Sequence, residues 1–426
     1  MIPAAGGRAA RGTDLLHRSI AMPLELTART DAGARLITLA ESLAEDLAVR
    51  APIHDREGTY PHASVDALRD AGYFTAPIPE AHGGLGVTSV HDVIVAASRL
   101  ARGDASVAIG VNMHMTALLN VVRRWQMANA LGQARRAAAF ASWMRAIARD
   151  GVIMAAAISE PGQDLTRPAT TARRVPEGWR VDGRKAFCSM SPAATDLYTS
   201  VTFTDDEGAE RYGYALIATD APGVTVHDDW DALGMRASGS HSVTFDGVVL
   251  PASALRGGFP TGGVVAFMER SLTAGLFHAS ASLGIAEAAQ ENALRGVTRR
   301  GQDGARIRAL AAESAIELAV CRAALSRAGM LIDDHQEAYP AAQGPDDELA
   351  ALFAETQAVK TFVNESAARL VDRALALVGG AGFSNGHPIA RACRDVRAAA
   401  FMNPLASDRA HELLGSLALG HAPALS

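Results

Sequence analysis

Gly178-Trp-Arg-Val-Asp-Gly-Arg-Lys-Ala-Phe-Cys-Ser189 is the stretch on which the reading of the chain turns. Trp179 and Val181 alternate with polar neighbours, the two-residue period of a half-buried strand. Asp182-Gly183 carries the signal of a tight hairpin turn, so the spacing predicts a strand that starts at Gly178 and turns at Gly183. Downstream, short apolar runs bounded by Asp, Gly or Pro predict strands at residues 197–203, 212–218, 223–227 and 242–250. Strands this short and this evenly spaced suggest a small barrel or sandwich of roughly 110 residues.

Both flanks read as helical. Upstream, Leu36, Leu39, Ala40, Leu43, Leu47 and Val49 recur near the 3.6-residue period. A second helix over residues 65–71 ends at Gly72, and helices resume over 91–148. Between them Gly83-Gly84-Leu85-Gly86 follows no predicted strand and reads as a turn, not a phosphate loop. Downstream, residues 267–295, 307–333 and 347–378 read as long helices, the last ended by Gly379-Gly380. Helical segments at 389–402 and after Ser407 follow. The expected class is α+β, in separate units: an N-terminal helical domain (30–150), a middle β-barrel or sandwich domain (151–255) and a C-terminal four-helix bundle (256–426). Residues 1–29 are expected to be a flexible tail, with Met22 an alternative start. No strand–GxGxxG–helix unit exists, which argues against a Rossmann fold.

Composition narrows the function. The 426 residues carry a net charge of −6 with no Lys/Arg run, so neither nucleic acid nor an anionic membrane is an expected partner. No apolar run is read as approaching the roughly 18 residues of a membrane-spanning helix. Three scattered cysteines, Cys188, Cys321 and Cys393, fit a reducing cytoplasm rather than a disulfide framework. There is no HExxH and no GxSxG, and Asp333-Asp334-His335 reads as a charged turn, not a metal site.

Four motifs, in order, resemble the acyl-CoA dehydrogenase superfamily. Ala157-Ile-Ser-Glu-Pro-Gly162 resembles the turn opening its middle domain, and Gly178–Ser189 its central strand pair. Leu233-Gly-Met-Arg-Ala-Ser-Gly-Ser240 with Val243–Pro251 is similar to the close of that domain. Gly379-Gly-Ala-Gly-Phe383 and Arg394-Asp395 match its C-terminal landmarks. The resemblance implies a flavin, FMN or FAD, between the β domain and the C-terminal helices, and a homotetramer. It implies that Ile158 and Ser159 face one edge of the flavin ring and that Phe187, Cys188 and Ser189 line its other side, with Gly379 and Gly380 also assigned to the cofactor. For Phe187 and Cys188, plain β-core packing is the alternative.

The departures from the family are equally informative. The glutamate that serves most members as base falls at Asn403, which cannot remove a proton. The family's second location for that base falls at Ala274. Glu269 lies five residues earlier, roughly 500° of helix away and off the needed face, and reads better as a paired or solvated glutamate. The loop after Glu160 is shortened, and Arg300-Gly-Gln-Asp-Gly304 lacks the phenylalanine of the family's diphosphate-gripping element.

These gaps resemble the two-component flavin monooxygenase branch, typified by dibenzothiophene monooxygenase. Phe187-Cys-Ser189, Asp104-Ala-Ser106 with His114, and Asn403-Pro404 with His411 and Gly415 are similar to its landmarks. The leading expectation is therefore an enzyme that takes reduced flavin from a separate reductase and reacts it with O2, through a flavin C4a-hydroperoxide, to oxygenate a small organic substrate. Ser189, His114 and Asn403 are the expected catalytic residues. The alternatives are an acyl-CoA dehydrogenase with a displaced base and a scaffold that has lost its chemistry. A satisfied helix histidine stays open for His114, and His387 and His411 read as structural.

Overall fold

The computed structural model describes residues 25–162, 164–255 and 258–421. Most of the predicted tail, including Met22, lies outside the described residues. Five helices come first: α1 (Asp31–Glu57), α2 (His62–Asp70), α3 (Val90–Gly103), α4 (Ala105–Ala130) and α5 (Ala134–Asp150). Side-chain caps set their starts. The Thr30 hydroxyl accepts from the Gly33 amide at 2.9 Å to begin α1, and the Asp104 carboxylate accepts from the Ser106 amide at 2.9 Å to begin α4. Asp333 closes the start of α3, accepting from the Val90 amide and the Ser89 hydroxyl, each at 2.6 Å.

Eight strands follow among the described residues: β1 (Met154–Ala157), β2 (Thr171–Val175), β3 (Gly178–Cys188), β4 (Asp196–Thr204), β5 (Glu210–Ala218), β6 (Val224–Val226), β7 (His241–Pro251) and β8 (Phe259–Pro260). They form one sheet in the order β6-β7-β3-β2-β4-β5-β8, with β1 parallel to β4. The sheet closes over its own apolar core, where Trp179 meets Phe203 edge-on at 5.3 Å. The predicted hairpin at Asp182-Gly183 is not a turn. β3 runs straight through it as a register shift against β7, because the Asp182 carboxylate accepts from the Gly247 amide at 2.8 Å and holds the irregularity in the ladder.

The chain ends in α6 (Val264–Arg299), α7 (Ala305–Ala338), α8 (Asp346–Val378), α9 (Pro388–Asp395) and α10 (Ser407–Ala418). Helices α6, α7 and α8 pack together, α10 lies on α8, and α3 packs against α6 and α7, so both helical regions share one core. Helix α4 corrects the membrane expectation: by length and composition it is apolar enough to span a bilayer. Yet 83% of its apolar window is buried inside the protein, so it is a core helix.

Candidate functional site

A cavity of about 480 Å³ lies where α4, the β sheet, α6 and the segment after α9 meet. That volume is within the range of roughly 300–1,000 Å³ of small-molecule and cofactor sites. Helix α4 contributes Met113, Thr116 and Asn120, the sheet Ile158, Ser159, Phe187 and Ser189, α6 Arg270 and Ala274, and the C-terminal segment Phe401 to Pro404.

The segment after β1 is fixed by a buried ion pair. Lys185 donates to Glu160 at 2.7 Å, to the Ser200 hydroxyl at 3.2 Å and to the Ile158 carbonyl at 3.4 Å. Glu160 also accepts from the Ala169 and Thr170 amides at 2.5 and 2.8 Å and from the Thr170 hydroxyl at 2.5 Å. Burial alone would raise the Glu160 carboxyl, but the Lys185 charge and these donors hold it below its usual value. Here β3 departs from β7, and the Ala186 amide turns to the Ser159 carbonyl at 2.9 Å. The ladder irregularity thus carries the end of β3 to the segment at 158–160.

Phe187, at the end of β3, has φ 56° and is 64% exposed, its ring edge-on to Trp230. Met190 and Met235 also sit at positive φ, and Phe187 and Met235 both line the cavity. Such backbone is costly for residues other than glycine and gathers where geometry serves a site. Next to Phe187, three hydroxyls form a chain: Ser189 to Ser240 at 2.8 Å and Ser240 to Ser238 at 2.6 Å. The wall at Gly234-Met235 is tied to α9, since the Met235 amide donates to Asp395 at 2.7 Å. A Cβ on Gly234 would lie 2.3 Å from the Arg394 carbonyl oxygen, so only glycine permits that approach. Burial raises the Asp395 carboxyl to about 7, with Asp104 and Asp55 adding to the rise.

Asn403 donates to the Ser159 hydroxyl at 2.7 Å, bridging the C-terminal segment and the sheet. Its loop is held from below by Lys360 of α8, which donates to the Met402 carbonyl at 2.5 Å and to the Leu405 carbonyl. Burial pushes Lys360 down to about 7. Among the described lining residues Glu160 is the only carboxylate, and it is neutralised. Ala274 and Asn403, at the two positions where the family carries its base, both line the cavity. Glu269 is outside it, bound to Arg124.

Ile158, Ser159, Phe187, Ser189 and Asn403 therefore meet in one cavity. Four other expected residues do not line it. His114 faces away from the cavity: one ring nitrogen is 2.9 Å from the Phe74 carbonyl and the other accepts from the Met154 amide at 3.0 Å. Burial lowers its pKa to about 4, so it is a neutral core histidine joining α4 to β1. Cys188 points into the β core, where burial pushes its thiol up to about 12. Gly379 and Gly380 are exposed in a 3₁₀ turn outside the cavity. The residues that do meet suit a flavin: apolar faces from Phe187, Trp230 and Leu165, with hydroxyl and amide groups at their edge.

The sequence reading missed Arg270 and His278, both lining the cavity from α6. The His278 Nδ1 is buried without a partner among the described residues, and burial together with the Lys360 charge lowers its pKa to about 3. A polar residue recurring on an apolar face of α6 was the available signal.

The chain matches the sequence profiles of the acyl-CoA dehydrogenase N-terminal domain over residues 32–128, middle domain over 155–248 and C-terminal domain over 262–403. An amino sugar nitrososynthase of Streptomyces peucetius is 34% identical over 92% of this chain and 95% of its own length. The solved structure of KijD3 with FMN and dTDP-3-amino-2,3,6-trideoxy-4-keto-3-methyl-D-glucose has a TM-score of 0.85 at 31% identity, covering 94% of this chain and 97% of KijD3. The FMN-bound dibenzothiophene monooxygenase of Paenibacillus sp. A11-2 has a TM-score of 0.77 at 26% identity, covering 92% and 98%. By three matched domains and relatives aligned over nearly its whole length, the chain belongs to the acyl-CoA dehydrogenase family.

Proposed function

We propose that the protein is a flavin-dependent monooxygenase that uses reduced FMN and O2 to oxidise the amine nitrogen of a nucleotide-linked amino sugar. The observation that carries this reading is the make-up of the cavity: hydroxyls and an amide where the flavin ring would lie, and no free carboxylate among the described lining residues. Similarity to the nitrososynthases and to the FMN-bound neighbours supports the substrate class and the cofactor. When bound, reduced flavin supplies two electrons that divide O2 between the product and water.

The chain's own residues set the conditions. Ser159 accepts from Asn403, which leaves the serine proton without an acceptor among the described residues and available to an oxygen species in the cavity. The Ser189–Ser240–Ser238 chain offers a second donor. Phe187, Trp230, Leu233 and Phe401 form an apolar rim at the cavity mouth. The dehydrogenase reading lacks its base at both family positions. A separate reductase supplies the reduced flavin, as the resemblance to the two-component monooxygenase branch implies. The homotetramer rests on the family resemblance, to which exposed Ile316 and Val320, one turn apart on α7, add an apolar contact for a second copy, and the cytoplasmic setting rests on the scattered spacing of three cysteines in the sequence.

The test is anaerobic loading with reduced FMN, followed by rapid mixing with oxygenated buffer. A transient absorbance band before oxidised flavin, and 18O from labelled O2 in an amino-sugar product, are expected. Oxidation at the rate of free reduced FMN would overturn the monooxygenase, and absence of any flavin uptake would favour the scaffold.

A further inference from the structure

Arg270 of α6 stands in the cavity wall in an unusual electrostatic state. Its Nη1 donates to the Tyr198 phenol oxygen at 3.0 Å. Its guanidinium carbon lies 4.4 Å from the Tyr214 ring centroid and 4.5 Å from that of Phe259. The Tyr198 and Tyr214 rings stack on each other, 5.0 Å apart and 9° from parallel. The planar fork is therefore fixed by aromatic contacts. Its Nε is buried with no partner among the described residues.

What Arg270 lacks, among the described residues, is a directly paired anion. The cavity wall carries three described arginines. Arg394 is bound by both oxygens of Asp55, and Arg397 by Asp372. Arg270 has no carboxylate within ion-pair distance among the described residues. Glu269, its sequence neighbour, is taken by Arg124. Burial works against the Arg270 charge, and the neighbouring tyrosines and the through-space Glu269 charge offset it, but none of them is an ion-pair partner.

We propose that Arg270 anchors the phosphate-bearing part of the substrate, the diphosphate of the nucleotide-linked sugar. The identity of the anion rests on the function proposed above; the missing counter-ion is a property of this chain. A guanidinium fork pre-positioned by two rings matches the paired oxygens of a phosphate. The anion neutralises the cavity while the amino sugar extends toward Ser159 and Asn403.

The test is calorimetric titration of the full-length protein with dTDP and with thymidine. Wild type is expected to bind dTDP well and thymidine weakly. Arg270→Gln should weaken dTDP binding by at least about ten-fold, as expected for a lost charge-assisted pair, and leave thymidine unchanged. Arg270→Lys keeps the charge and loses the fork, so it should show a smaller loss; it also serves if the glutamine variant does not fold. Unchanged dTDP affinity in the variants overturns the anchor while the sugar-nucleotide reading stands. A parallel loss of dTDP and thymidine binding assigns Arg270 a purely structural role and also overturns it. A wild type that does not bind dTDP removes the sugar-nucleotide reading and the diphosphate with it.

Discussion

Replacing Lys185 with methionine removes one half of a fully buried ion pair and keeps most of the side-chain volume. The ammonium and the Glu160 carboxylate are 0% and 3% exposed and 2.7 Å apart. The variant strands a carboxylate in the β core with only the Ala169 and Thr170 donors to hold it. Breaking one side of such a pair costs about 3–5 kcal/mol. At roughly 4–8 °C per kcal/mol for a domain of about 100 residues, the transition of the β domain should fall by about 12–40 °C. The loss has a pH signature. In the wild type the Glu160 pKa is held down, so its contribution is present above the carboxylate's unfolded value and fades as pH falls. In the variant, burial without Lys185 raises that pKa instead, so the deficit should grow from pH 5 to pH 8. Scanning calorimetry at several pH values measures both. FMN titration followed by fluorescence should show weaker binding, because Lys185 also donates to the Ile158 carbonyl. Adding Glu160→Gln should recover part of the stability. A variant that melts within about 1 °C of wild type across this range, with unchanged FMN affinity, would refute the role assigned to the pair.

Other perturbations probe the remaining walls. Asn403→Ala removes the donor to Ser159 and should divert reduced flavin toward H2O2; peroxide released per FMN oxidised should rise several-fold, by analogy with the loss of one oxyanion donor. Asp395, raised to about 7, contributes stability that is complete below about pH 4 and lost as pH rises to about 7. Asp395→Asn, which can still accept from the Met235 amide, should therefore gain on wild type across that window in melting temperature. His114→Phe orphans the Phe74 carbonyl and the Met154 amide and should cost about 1–3 kcal/mol for each buried group left unpaired. Its oxygen reaction per folded protein should be unchanged; a specific loss of activity would return His114 to the chemistry.

The helix–strand–helix order was legible in the sequence because long periodic helices and alternating strands write their periods plainly. The strands at 197–203, 212–218 and 242–250 appear within two residues of their observed limits. Strands β1 and β2 were not legible. Met154-Ala-Ala-Ala157 has no alternation, and Thr171-Ala-Arg-Arg-Val175 is mostly polar; the first is a strand because β4 pairs with it, the second because β3 pairs along its whole length. Asp182-Gly183 looked like a hairpin because local turn chemistry cannot register an amide arriving from Gly247. Within the site, Ser159, Phe187, Ser189 and Asn403 were readable from motifs on loops and strand ends, where backbone irregularity fixes direction. His114 and Arg270 lie on helices. Which side of a helix faces a cavity and which faces core depends on neighbours far away in sequence, and His114 turned out to sit one residue beyond the cavity-lining Met113.

The cavity wall draws on residues from Ile109 to Pro404, so no single layer of the protein contains it. A ligand held there touches the first helical region, the sheet and the last helical region at once. Any free energy of binding therefore also resists their separation. At a free flavin concentration about 100 times its dissociation constant, this amounts to roughly 2.7 kcal/mol of added stability. Flavin supply would then govern not only turnover but how long the folded chain survives, with the empty form opening and being degraded first.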